Sequence, residues 1–93
     1  MYIEILSKTS QDLLTDAIMK YGFNKQKQRT VRKLMDLGQA LLKDIDHEPH
    51  NVESSIADVE IMLAQMKLIY SQYTINGFID AQLEVLNRKI RNI

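Results

Sequence analysis

The sequence contains no cysteine, no tryptophan, one proline, three glycines and no net charge. Without cysteine the chain has neither a disulfide nor a thiolate metal site to stabilise it, a composition that fits an intracellular protein. Twelve Lys and Arg stand against twelve Asp and Glu, so the basic excess of a general nucleic-acid binder is missing and nucleic acid is not an expected partner. No apolar run approaches the roughly 20 residues that span a bilayer. Glu4 interrupts the opening stretch Met1 to Leu6, where a secretory leader needs a basic start and a longer apolar core. These absences together predict a soluble cytoplasmic protein with no membrane association.

What is present is a chain of 93 residues, room for a single domain over residues 1–93. So short a domain buries a modest fraction of its surface. With no disulfide to compensate, homo-oligomerisation is the expected source of further burial, as a dimer or tetramer.

The apolar pattern is helical. Thr9 and Ser10 are cap candidates for a first helix, in which Leu13, Leu14, Ala17, Ile18 and Tyr21 recur at helical spacing before Gly22 stops it. Before Thr9, the residues Tyr2, Ile3, Ile5 and Leu6 suit either an extended or a helical segment. A second helix is predicted from near Asn24 to about Asp44, with Val31, Leu34, Leu37 or Gly38, Leu41 and Ile45 as its apolar face. The stretch Asp46 to His50 ends it, because proline disfavours helical geometry in the residue before it. Asn51 is the cap candidate for a third helix running to Tyr70 or Tyr73. That helix is apolar around much of its circumference, which predicts a central position. Thr74 to Gly77 reads as a turn, with Asn76 capping a fourth helix built on Phe78, Ile79, Leu83, Leu86 and Ile90. The expected fold class is all-α, a bundle of about four helices completed by oligomerisation.

Two stretches carry a resemblance. One is Gln26 followed by Val31-Arg32-Lys33-Leu34-Met35-Asp36-Leu37-Gly38-Gln39-Ala40-Leu41. The other is Asn51 to Tyr70, whose most specific part is Ile56-Ala57-Asp58-Val59-Glu60-Ile61-Met62-Leu63. Over about residues 17 to 90 the chain resembles the MazG-like nucleotide pyrophosphohydrolases, especially the short forms common in phages. The resemblance implies hydrolysis of nucleoside triphosphates to monophosphate and pyrophosphate with Mg²⁺, using a Glu-x-x-Glu pair on one helix and a Glu-x-x-Asp pair on the next. Residues three apart share a helix face. Two facing helices can therefore aim four carboxylates into one gap, where a hard cation shares oxygen ligands with substrate phosphates.

In this chain the first pair corresponds to Lys33 and Asp36 and the second to Ser55 and Asp58. The formal charge of the four positions falls from −4 in the family pattern to −1, counting two Asp and one Lys. An ammonium among the remaining acids takes the electrostatic place of a metal. At ~4 Å separation and an effective dielectric of 20 such charges interact by about 4 kcal/mol, so Lys33 is expected to oppose cation entry and to pair with Asp36 or Asp58. Family members often carry a basic residue on the fourth helix to meet phosphates, and the matching position here is Gln82. Glu53 and Glu60 lie two residues from Ser55 and Asp58 and point to other faces, so neither restores the site.

Other clusters have plainer readings beside their functional ones. His47 and His50, with Asp44, Asp46 and Glu48, are potential transition-metal ligands or a solvated interhelix loop. Lys25, Arg29, Arg32 and Lys33 nearly share a helical stripe, with Lys27 nearby, suited to phosphate contact or to a solvated face. Met62 and Met66 have core spacing.

The expected function is therefore that of a MazG-like pseudoenzyme that works by binding a protein partner, as a regulator or inhibitor, or a nucleotide, without turnover. No cofactor is expected under that reading. The alternative is a Mg²⁺-dependent pyrophosphohydrolase with weak residual activity, its metal held by Asp36 and Asp58.

Overall fold

A computed structural model of the chain describes residues 7–91. The question left open about Tyr2 to Leu6 falls outside those residues. Four helices and no strand occur within them: α1 (Lys8–Tyr21), α2 (Phe23–Ile45), α3 (Val52–Ile69) and α4 (Gln72–Arg91). None is long and apolar enough to cross a membrane. The all-α, four-helix expectation is met.

The helix ends follow local chemistry. α1 is capped by Ser7 rather than by Thr9 or Ser10, since Ser7 Oγ accepts from the Ser10 N–H at 3.1 Å. Gly22 closes α1 with φ +90° and ψ 159°, a conformation open essentially to glycine alone, and α2 starts on the next residue. α2 ends in a Schellman turn. His47 is left-handed there (φ +59°), with Glu48 N–H bonded to Lys43 O and His47 N–H to Asp44 O. Asn51 makes no side-chain cap bond to α3. His50 serves instead, its Nδ1 accepting from the Val52 N–H at 3.4 Å. The largest departure from expectation is at α4. Ser71 caps it by accepting from the Thr74 N–H at 3.2 Å, so Thr74 to Gly77 are helical rather than a turn.

α3 packs along α2, and α1 packs across both, whereas α4 has no more than glancing contact with the other three. The chain is accordingly open. Its radius of gyration is 16.0 Å, against about 12 Å for a compact domain of this length. Leu14, Ile18, Ala40 and Val59 are the buried apolar residues, joined by the polar Gln26, Thr30, Ser55 and Gln65. The side chains most completely buried are the two glutamines. Gln26 Nε2 donates to Gln65 Oε1 at 2.6 Å, and Gln65 Nε2 donates to the Leu14 carbonyl at 3.4 Å, so one amide pair ties α1, α2 and α3. No buried side-chain polar atom among the described residues lacks a partner, which is the condition under which polar burial is tolerated.

The expected apolar face of α2 is real but mostly uncovered. Gln26, Thr30, Lys33, Leu37 and Ala40 turn toward α1 and α3, while Val31, Leu34, Leu41 and Ile45 are exposed. Only Leu37 of the anticipated set is half-buried. α3 touches both α1 and α2, with Met62 and Met66 half-buried, but α2 likewise touches both of its neighbours, and Ile56, Ile61 and Tyr70 face outward, so α3 is not set apart as the central helix.

Candidate functional site

The residue that every helix-face argument singles out is Lys33. It lies on the inner face of α2 one turn before Leu37, and that face meets α3. Its Nζ donates to Asp58 Oδ2 at 3.3 Å. Asp58 lies three residues after Ser55, so both project from the same side of α3. Lys33, Asp36, Ser55 and Asp58 all line one cleft of about 250 Å³ between the two helices. The four positions are thus brought together, and of the two pairings open to Lys33 the geometry selects Asp58.

The cleft walls are mostly polar. Gln39 and Lys43 extend the α2 wall toward its C-terminus, Asn51 closes the α3 end, and Ala40 forms the floor at 3% exposure. Ser55 is 5% exposed, the most enclosed of the four positions. Lys33 and Asp58 keep 40% and 44% of their side-chain surface in solvent. Water therefore screens the pair, and its contribution falls to about 0–1 kcal/mol rather than the larger value expected in a drier gap. Asp36 is exposed and lies outside the ion pair. Glu53 and Glu60 are exposed and line no part of the cleft.

Mg²⁺ prefers hard oxygen ligands in near-octahedral array, usually one or two carboxylates with waters and phosphates. The donor set here holds two carboxylates, Asp36 and Asp58. One of its two carboxylates is engaged by an ammonium, and the buried position carries a neutral hydroxyl. Among the described residues no three His, Asp or Glu side chains gather as a metal site.

The remaining candidates resolve into local structure. His50 Nδ1 accepts from Val52, which leaves Nε2 as the donor toward Asp44 Oδ1 at 3.0 Å, and His47 occupies the left-handed position of the Schellman turn. Part of the basic stripe is engaged by partners within the chain. Arg29 donates to Gln26 Oε1 at 2.9 Å and stacks 4.2 Å from the Tyr21 ring centre, Lys27 sits 5.1 Å from the Tyr70 ring centre, and Lys33 pairs with Asp58. Gln82 lies on the apolar face of α4 beside Phe78, Ile79 and Leu86. That helix does not pack on the cleft-bearing pair.

Sequence reasoning missed Lys43, Gln39 and Asn51 as cleft residues and the burial of Gln26 and Gln65. A signal was available for Lys43, because positions 33, 36, 40 and 43 are spaced to share one face of α2. Compared with known proteins, the chain matches no family model, no curated protein and no solved structure.

Proposed function

We propose that this is a MazG-like protein that acts by binding, with its hydrolytic site dismantled. The observation that supports the reading is the Lys33–Asp58 contact of 3.3 Å, which puts an ammonium where the resemblance calls for a divalent cation. Such a cleft keeps its shape without metal. Its polar walls, with Lys43 beside Lys33, suit an acidic side chain of a protein partner, or the phosphates of a nucleotide held without turnover. A regulator or inhibitor of another protein fits a scaffold kept in this way.

The decisive experiment measures pyrophosphate release from a panel of nucleoside triphosphates with Mg²⁺ or Mn²⁺. No release above background is expected. Release that disappears in Asp58→Ala would establish the second reading, a slow pyrophosphohydrolase. That reading draws on one observation, the presence of Asp36 in the same cleft and outside the ion pair. Restoring Lys33→Glu together with Ser55→Glu tests the correspondence itself, and recovered hydrolysis is the expected result.

A further inference from the structure

We infer that one end of the bundle, built from the close of α1, the start of α2 and the turn from α3 into α4, binds single-stranded nucleic acid, its cations on phosphates and its rings against bases. The inference stands apart from the reading of the cleft, since it uses neither Lys33 nor Asp58.

The zero net charge of the chain is an average over unlike parts. Residues 17–32 and 61–79 hold six of the twelve Lys and Arg and none of the twelve Asp and Glu. The same two stretches hold Tyr21, Phe23, Tyr70, Tyr73 and Phe78, five of the six aromatic residues. The far end of the α2–α3 pair is the reverse, with Asp44, Asp46, Glu48 and Glu53 against Lys43. Balance over the whole chain therefore speaks against a uniformly basic surface and leaves room for a basic end, and a charged ligand responds to the local field.

Packing brings the two stretches together. α2 and α3 are antiparallel, since Gln26 meets Gln65 and Lys33 meets Asp58. The start of α2 therefore lies beside the end of α3, and the end of α1 joins them through the Tyr21–Arg29 contact. Two cation–aromatic clusters result. On one side the Arg29 guanidinium lies 4.2 Å from the Tyr21 ring centre, with the Lys20 ammonium 5.4 Å from the same ring. Lys25 is four residues before Arg29 and Arg32 three after it, so the three cations form a stripe about 10.5 Å long on one face of α2. On the other side Lys27 sits 5.1 Å from the Tyr70 ring centre, and Lys67 lies three residues before Tyr70 on α3. Tyr73, 90% exposed, is in the first turn of α4. Among the described residues Lys25, Arg32, Lys67 and Tyr73 have no hydrogen bond, ion pair or ring contact of their own.

Rings and cations on one surface select the ligand. Single strands are held by phosphate contacts together with stacking of bases on aromatic side chains and guanidinium planes. A helix that lies on a membrane puts cations and apolar residues on opposite faces, so that the apolar side enters the lipid. Here Arg29 and Lys27 lie over the rings, and sinking Tyr21 or Tyr70 into acyl chains would drag a charge out of water. An acidic peptide answers the cations and leaves the rings unused.

The test is fluorescence anisotropy of end-labelled oligothymidylate and oligouridylate of about 12 nucleotides, titrated with the whole chain. A Kd of about 1–100 μM is expected near physiological salt, as for binding without sequence preference. With Lys25, Arg29 and Arg32 each neutralising one phosphate, log K should fall against log salt with a slope of about −2. Lys25→Gln combined with Arg32→Gln is expected to weaken binding about tenfold or more and to bring the slope to about −0.7. Tyr73→Ala is expected to weaken it about fivefold or more with the slope unchanged, because stacking releases no counterions. These side chains are exposed, so the variants keep the fold. Lys89→Gln combined with Arg91→Gln, at the other end of α4, is expected to leave binding unchanged. No saturable rise with either oligomer overturns the inference, and so does equal loss in the Lys89→Gln and Arg91→Gln variant or full affinity in Tyr73→Ala. Tighter binding to phosphatidylglycerol vesicles or to polyglutamate at the same salt also overturns it, and assigns the surface to a membrane or to an acidic protein.

Discussion

The two long faces of α2 have exchanged their usual characters. The face against α1 and α3 carries Gln26, Thr30, Lys33, Leu37 and Ala40, while the face about a third of a turn away carries Val31, Leu34, Met35, Leu42 and Ile45 and stands in solvent. In most globular helices the apolar stripe is the one covered by the same chain. Here the inner face is held by directed hydrogen bonds and an ion pair, and the outer face holds the larger reserve of apolar surface. The contrast teaches that the apolar stripe of a helix and the face its own chain covers need not coincide.

The largest effect should come from the inner face. Gln65→Ala removes the acceptor for Gln26 Nε2 and opens a cavity, and a loss of about 3 kcal/mol in chemical denaturation is expected. Gln26→Leu combined with Gln65→Leu should be milder than Gln65→Ala, because both partners of the buried amide bond go together and the donor left behind, Arg29 Nη1, is only part-buried. A double variant at least as damaging would show that the polarity of this face, and not its satisfaction, is what the fold needs.

Next comes the outer face. Leu42, 63% exposed in the single chain, should cost about 2 kcal/mol when cut to alanine, but only in proportion to how far the chain is associated. Denaturation midpoints at two protein concentrations read this out. A change within about 0.5 kcal/mol at both would mark the stripe as plain surface. Lys33→Met should move stability by about 1 kcal/mol or less, since its ion pair is screened. Its clearer sign would be a Mg²⁺-dependent rise in melting temperature that the unaltered protein lacks. The smallest effect touches neither face. His47→Gly relieves a left-handed backbone at the end of α2 and should stabilise by about 0.5–1 kcal/mol, measured by thermal melting.

Much of the fold was legible because it depends on local chemistry. α1, α2 and α3 begin and end close to where spacing, Gly22 and Pro49 place them. The start of α4 was not legible. Thr74, Asn76 and Gly77 have turn composition, yet the Ser71 cap and the apolar residues on both sides carry the helix through them. The covering of α2 was illegible for a different reason. Periodicity marks a stripe that must be buried but carries no information on what buries it. In the candidate site, three-residue spacing sufficed to bring Lys33, Asp36, Ser55 and Asp58 to one cleft. It did not decide between Asp36 and Asp58 as the lysine's partner, which depends on the register of α3 against α2.

That register has its own determinant. A helix as broadly apolar as α3 would pack nearly as well after sliding one turn, about 5.4 Å, along its neighbour. Such a slide would strand the carboxamides of Gln26 and Gln65 together, at about 1–3 kcal/mol for each unpaired group. The amide pair works as an index mark between helices, much as a single buried asparagine fixes alignment in a coiled coil. Because the mark lies two turns from Lys33 on α2 and two turns from Asp58 on α3, the alignment it enforces is also what delivers that lysine to that aspartate.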